Sequence, residues 1–515
     1  MSEFDYLIIG AGAAGCTLAA RLAEDAPTSV ALIEAGGRYR RVLDVPLIGL
    51  WAWLRRPATF CWQDWTVPQR ALDGRRVWWP AGRIVGGSSA INAMIYSRGP
   101  AASYDRWRDG GEPEWSYDAL LPWFRRAENQ ERGSSVHHGI GGPIDVSDGR
   151  YVSELGQAFV AGCQTVGISP TDDFNGPHPE GAGFLQVTQR NGRRSSAADY
   201  LRRTDGGARV ALHLRSRAVR VVFDGRRAIG VEIMRDKRPQ LLRARREVIL
   251  CAGVVRSPQL LMLSGIGPAD RLRGVGIDVL VDNPGVGSNL QDHVRIPVVR
   301  HLARTRPTRF AGLLRGGLEY VWTRRGLLAS NVCDAGAVVR LDEADTVPAL
   351  RIVCQWRALP EERTTFVDFE VVLIDPHSRG RLSLVTRNPC TAPAIDPAYL
   401  MEPRDAARLA EGVDLARAIA GSAPCQRAGV GREVQPGEND LAAHIRWHAN
   451  TAYHPVGTCR FGRSGDAVVD SRLRVIGVSG LRVVDASVMP TTVAGNAQAA
   501  VVAIAERAAN LIRNG

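Results

Sequence analysis

Residues 4–9, FDYLII, form a short apolar run of the length expected for a strand buried on both faces. The next segment, AAGCTLAARLAE at 13–24, spaces its apolar residues as a helix does. SVALIEAG at 29–36 predicts a second strand, so the chain opens strand–helix–strand. Further along, AVRVVF at 218–223 turns at Asp224-Gly225 into AIGVEIM, the pattern of a hairpin. EVILCAG at 247–253 predicts a strand that leads through a proline-bearing turn into a helix, PQLLMLS. The interval 365–387 alternates apolar and polar positions and predicts antiparallel strands, and residues 404–420 predict a helix.

Composition narrows the class. The 515 residues are 45% hydrophobic and 23% charged, the balance of a globular chain, and their number allows two to four domains. No apolar run reaches the roughly 18 residues of a membrane span, and acids stand near the N-terminus where a signal peptide wants bases. A cytoplasmic location is expected. The formal charge is +12, yet all basic residues except Lys237 are arginine, spread along the whole chain. That skew fits codon bias better than a phosphate-binding surface, so no nucleic-acid partner is expected. A denser stretch, Arg295 to Arg325, holds eight arginines against Glu319. A solvated face is the expected reading there, with an anion site or a peripheral membrane contact as the alternative. Nine scattered cysteines without a C-x-x-C predict reduced, mostly buried thiols, and no metal site is expected.

Between the first strand and helix lies Gly10-Ala11-Gly12-Ala13-Ala14-Gly15, a G-x-G-x-x-G. Gly10 permits the tight turn, Gly12 lets a pyrophosphate approach the backbone, and Gly15 lets helix and strand pack closely. The helix N-terminus faces the phosphate charge. The second strand ends in Glu34-Ala35, about 20 residues past the glycines, where the carboxylate is placed for a ribose diol. These residues predict a dinucleotide, either NAD or FAD.

AGRIVGGSSAINAMIYSRG at 81–99, N-G-x-R-x-S at Asn191–Ser196, AGVVRSPQLLMLSGIGP at 252–268 and PGVGSNLQDH at 284–293 extend the pattern. With HSRGRLSL at 377–384, NTAYHPVGTCRFG at 450–462 and LRVVDASVMPTTVAGNAQA at 481–499, the chain resembles the glucose–methanol–choline (GMC) family of FAD-dependent alcohol oxidoreductases nearly end to end. The resemblance implies FAD, with Arg83, Gly87, Ser88, Asn92 and Ala93 in the segment along the cofactor. It also implies Val219 at the adenine through its backbone, and Asp485-Ala486 at the pyrophosphate and ribityl side. Some members carry a histidine just before the asparagine and attach FAD covalently; Ile91 stands there in this chain, so noncovalent FAD is expected.

The fold implied is α+β, a Rossmann-type FAD-binding domain joined to a discontinuous antiparallel-sheet substrate domain. The expected division is 1–150, 186–294 and 440–515 for FAD, and 151–185 and 295–439 for substrate. Oxidation of a primary or secondary alcohol needs a hydroxyl proton removed while hydride leaves the same carbon. By the resemblance His454 is the base and Asn496 holds the substrate oxygen. The partners implied are a small-molecule alcohol and an electron acceptor, either oxygen or a quinone or redox protein; a dehydrogenase is expected over an oxidase. The alternative is a hydroxynitrile-lyase-like non-redox enzyme on the same FAD scaffold. Six tryptophans between 51 and 79 predict a lid over the flavin or a plain core of large side chains. Two departures touch the expected pocket: Phe461 stands where the family commonly has Met, and Asp375 where some choline-acting relatives have a histidine.

Overall fold

A computed structural model describes residues 3–25, 27–54, 58–303, 310–358 and 365–514. Two seven-stranded sheets organise it. In the first, the strands run in the order Ala211–His213, Val30–Ile33, Glu3–Ile9, Arg238–Leu250, Arg227–Arg235 and Ser216–Asp224, and Leu481–Val483 also pairs with Arg238–Leu250. Glu3–Ile9 pairs in parallel on both sides, and Leu7 and Ile8 are fully buried, as a strand covered on both faces requires. Ile9 stands level with both Ile33 and Leu250. That register brings the glycine turn, Glu34 and Cys251-Ala252 to one carboxyl edge, where open α/β sheets take ligands.

Two elements are longer than their patterns predict. Arg238–Leu250 begins nine residues ahead of the apolar run, because its polar first half pairs antiparallel with Arg227–Arg235 before its second half joins Glu3–Ile9. The following helix, Gly253–Leu263, starts ahead of Pro258 and contains it. Proline cannot donate to the carbonyl of residue 254. Thr458 Oγ1 donates to that oxygen at 2.7 Å, so the helix continues.

The second sheet orders Val430–Gln435, Val294–Leu302, Thr365–Leu373, Leu350–Ala358, Ala335–Val339 and Gly181–Phe184, all antiparallel. Arg351 lies opposite Val372, Val353 opposite Glu370 and Gln355 opposite Asp368, so these share one face by the two-residue period of a strand. The alternate residues, Leu350, Ile352, Phe369 and Val371, are buried on the other face. Helix Pro403–Ala420 covers that face so closely that a Cβ on Gly412 would stand 2.5 Å from Val371. Strand Asn450–Thr451 pairs with Val294-Arg295 in this sheet, and His444 Nε2 reaches Pro297 O at 2.9 Å. The stretch 441–451 thus packs on the second sheet, although 440–515 is expected from sequence on the nucleotide side.

The final helix, Ala497–Arg513, packs against Ala13–Leu22. Its fully buried Glu506 accepts from Arg21 Nη2 at 2.8 Å and from the Tyr200 hydroxyl at 2.6 Å. All nine cysteines are unbridged, and only Cys390 is exposed. Among the described residues, no helix is long and apolar enough to cross a membrane.

Candidate active site

A cavity of about 1800 Å³ lies between the sheets and is lined by residues of both. Its dinucleotide end carries Gly10, Gly12, Ala13, Ala14, Glu34 and Ala35. Gly10 takes φ +102°, a left-handed turn that a side chain would strain. A Cβ on Gly12 would meet nothing within 4 Å, whereas one on Gly15 would stand 1.8 Å from Gly10 O. Gly12 therefore leaves space for a ligand, and Gly15 closes the helix onto the turn without lining the cavity. Gly12 caps helix Ala13–Leu22 with no side chain on its free amides, so an unopposed helix N-terminus faces the cavity. Glu34 accepts from Ala11 N at 2.9 Å and Gly36 N at 2.7 Å, and burial holds its carboxyl above the usual range.

The middle of the cavity is walled by Gly87, Ser88, Asn92, Ala93, Asp485 and Ala486. Gly87 packs against the first turn, where its Cβ would come 2.7 Å from Gly12 Cα. Asn92 Oδ1 accepts from Arg194 Nη1 at 2.7 Å, and its Nδ2 donates to Gln498 at 2.5 Å. Asp485 accepts from Gly253 N at 2.9 Å and the Ser257 hydroxyl at 2.5 Å, tying its loop to the start of helix Gly253–Leu263. Besides Gly15, two expected residues are not on the wall. Arg83 lies over Trp62 and donates to Ala58 O at 3.0 Å. Val219 sits at a register shift between Ala218 and Arg220, and Arg217 and Ala218 line the cavity instead.

At the far end His454 and Asn496 meet, with Asn496 Nδ2 3.0 Å from His454 Nε2. Arg351 Nη1 donates to Asn496 Oδ1 at 2.7 Å. With its oxygen taken, the amide donates to His454 Nε2, which must accept. The His454 proton then sits on Nδ1, 3.1 Å from His293 Nδ1. The His454 backbone amide donates to Asp292 Oδ1 at 2.9 Å, and Asp292 Oδ2 accepts from Tyr399, which accepts from Trp79 Nε1 at 2.8 Å. Burial, with the charge of Arg351, pushes the His454 imidazole down to about 3. Burial also lowers His293 well below its ordinary value and raises Asp292 to about 6. The site thus holds a neutral, half-buried imidazole whose Nε2 lone pair faces the Asn496 amide.

Asp292 and His293 sit inside PGVGSNLQDH, where the motif marks them but their chemistry is not singled out. Arg351 has no motif; only the pairing of its sheet brings it here. Trp62, Trp78 and Trp79 line the cavity, Trp65 is exposed, and the side chains of Trp51 and Trp53 lie outside the described residues. Asp375 is not among the residues that line the cavity and is gripped by Arg106 at 2.6 and 2.8 Å. Phe461 stacks on Trp115 in the core, with ring centroids 5.2 Å apart. The expected basic face is broken up: Arg295 pairs with Glu370 and Arg300 with Glu433. Arg304, Arg306 and Arg309, with the side chain of Arg315, lie outside the described residues.

Comparison with known proteins gives one answer throughout. The two GMC oxidoreductase family models match residues 4–295 and 376–505. An alcohol dehydrogenase [acceptor] of Pseudomonas putida is 39% identical over 99% of this chain and 95% of its own. A mitochondrial choline dehydrogenase of Mus musculus is 37% identical over 99% of this chain and 89% of its own. The crystal structure of a pyridoxine 4-oxidase from Mesorbium loti superposes with a TM-score of 0.90 at 31% identity, over 99% of each chain. The chain belongs to the GMC oxidoreductase family.

Proposed function

We propose that this protein oxidises a primary or secondary alcohol to an aldehyde or ketone, with His454 as general base and Asn496 as the group that holds the substrate oxygen. The observation that carries the proposal is the His454–Asn496 pair, 3.0 Å apart, at the end of a cavity whose other end is the glycine turn. An FAD fits that cavity. Gly12 leaves it open at the free helix N-terminus, Glu34 offers its carboxylate at the ribose end, and Gly87-Ser88 with Asn92-Ala93 form the wall toward the reacting pair. Bound there, the flavin supplies a hydride acceptor at N5.

The chain's own residues do the rest. An alcohol entering between His454 and Asn496 donates its hydroxyl proton to Nε2 and accepts from Asn496 Nδ2. Proton removal leaves negative charge on that oxygen, which the amide already faces. The neutral imidazole takes the proton without first losing one of its own. Ile91, before Asn92, offers no nucleophile to the ring, so FAD is held noncovalently. The domain division follows the two sheets. Electrons leave to a quinone or redox protein in preference to oxygen.

Anaerobic mixing with a panel of alcohols, followed by flavin absorbance, tests the proposal. His454→Ala slows flavin reduction at least about 100-fold, the scale of a lost general base, with FAD retained. A wild-type rate in that variant removes His454 from the chemistry. A wild-type flavin that no alcohol bleaches removes the redox function.

A further inference from the structure

The second sheet carries a cation into the reaction centre that no carboxylate answers. Arg351 stands opposite Val338 and Val372 on the neighbouring strands, is 4% exposed, and lines the cavity with His454 and Asn496. Its Nη1 donates to Asn496 Oδ1 at 2.7 Å and its Nη2 to the Ser97 hydroxyl at 2.8 Å, while Nε is buried without a partner. Both partners are neutral, and among the described residues no acid pairs with it. Two other arginines of the cavity differ, since Arg256 pairs with Asp64 at 2.7 Å and Arg295 with Glu370, while Arg217, at the dinucleotide end, lies over the Trp62 ring. A guanidinium buried without a counter-ion is costly. Nothing in the packing of the strand calls for it.

We propose that Arg351 is a positioning and specificity residue: it locks the Asn496 amide toward the substrate oxygen, and its unanswered charge selects alcohols with a neutral or anionic group beside the carbinol carbon. Quaternary ammonium alcohols such as choline are rejected. The proposal rests on His454 and Asn496 being the reacting pair.

Turning the amide over would set its oxygen against the lone pair of His454 Nε2 and its NH2 against the guanidinium. Both contacts would repel, so one orientation holds. The same cation lies one hydrogen bond away from the oxygen on which negative charge develops, and it favours that charge. A trimethylammonium two carbons from the hydroxyl would meet Arg351 across a cavity of low dielectric, where like charges repel strongly. Glu370 does not relieve this, since Arg295 already holds it. Burial lowers Arg351 only to about 10, so it stays charged at working pH.

The test pairs choline with 3,3-dimethylbutan-1-ol, which has carbon in place of nitrogen. In anaerobic flavin reduction the wild-type holoenzyme favours the neutral alcohol at least tenfold in rate over dissociation constant. R351M narrows that ratio at least tenfold and slows the neutral alcohol. R351K keeps the ratio but not the rate, because one ammonium does not hold Asn496 and Ser97 in the same fork. A second readout needs no turnover: pivalate perturbs the flavin spectrum at least tenfold more tightly than tetramethylammonium, and R351M abolishes the difference. R351Q serves where R351M does not fold. A wild type that prefers choline, or a ratio that R351M and R351Q leave unchanged, overturns the proposal. A wild type that no alcohol reduces, with pivalate binding still lost in R351M, overturns the reacting pair and the positioning role but upholds the charge role.

Discussion

Asn496 Nδ2 lies 3.0 Å from His454 Nε2 across 42 positions of chain, and the donor belongs to the asparagine. In the proposed reaction the amide is therefore aimed at the place a substrate oxygen would occupy when it gives its proton to His454. Asn496→Ala removes that donor and is expected to lower the maximal rate of flavin reduction by about 100-fold, the scale of a lost oxyanion donor. FAD binding stays intact. An unchanged rate would show that another group holds the oxygen.

The His454 imidazole, at about 3, is neutral across the working range, so flavin reduction shows no inflection near 6.5 that belongs to it. Stability reports the same burial. Below about 6.5 the unfolded chain protonates His454 and His293 while the folded chain does not, so acid favours unfolding. Asp292 opposes this: it gains its proton near 6 when folded, but only near 3.9 when unfolded. His454 alone accounts for about 1.4 kcal/mol per pH unit of the acid loss between pH 6 and 4, the difference between wild type and a variant that lacks it. Urea titrations of wild type and H454Q through that window should diverge by that slope; parallel curves would show that His454 titrates normally.

A second titration lies far from the cavity. His138 is 8% exposed, and its ring reaches Glu128 at 3.0 Å and Asp173 at 2.8 Å. Burial pulls its pKa down, but these two carboxylates carry it up to about 9. A folded value above the unfolded one means stability present in full below about 6.5 and lost as pH rises toward 9. His138→Gln is expected to remove that alkaline dependence and lower the melting temperature at pH 6. An alkaline slope that survives the substitution would place its origin elsewhere.

Two glycines of one turn separate binding from folding. A methyl on Gly12 meets no protein atom within 4 Å, so Gly12→Ala folds with a normal apoprotein melting temperature and loses at least tenfold in FAD affinity. A methyl on Gly15 would stand 1.8 Å from Gly10 O, so Gly15→Ala is destabilised with or without cofactor. Titrating FAD into each apoprotein and melting both reads the difference. Equal behaviour of the two variants would count against a phosphate beside Gly12.

Because Ile91 precedes Asn92, acid precipitation should leave all the FAD in the supernatant. Yellow colour kept in the pellet would show a covalent link through another residue.

The nucleotide end of the cavity was legible because its chemistry is local. Strand, glycine turn, helix and Glu34 follow one another within 35 residues, and periodicity with φ requirements suffices to read them. His454 and Asn496 were legible only through the blocks that surround them. Arg351 was not, since it lies in an ordinary strand sequence and acquires meaning only when Leu350–Ala358 pairs with Thr365–Leu373. The same holds for Arg295, read as part of a basic face until Glu370 arrives on the paired strand. Arg238–Leu250 was half hidden because its first half is polar and depends on a partner strand for its form.

Arg21 and Glu506 are 485 residues apart in sequence. On the ribosome the first strand, the glycine turn and the first helix emerge long before Glu506, the fully buried acid that joins Glu24 on the Arg21 guanidinium. Asn496 arrives in that same late stretch, immediately before helix Ala497–Arg513. A nascent chain can therefore shape its dinucleotide turn long before it owns a working reaction pair. Docking of helix Ala497–Arg513 on the first helix sets Glu506 against Arg21 and brings the Asn496 amide to His454 in one event.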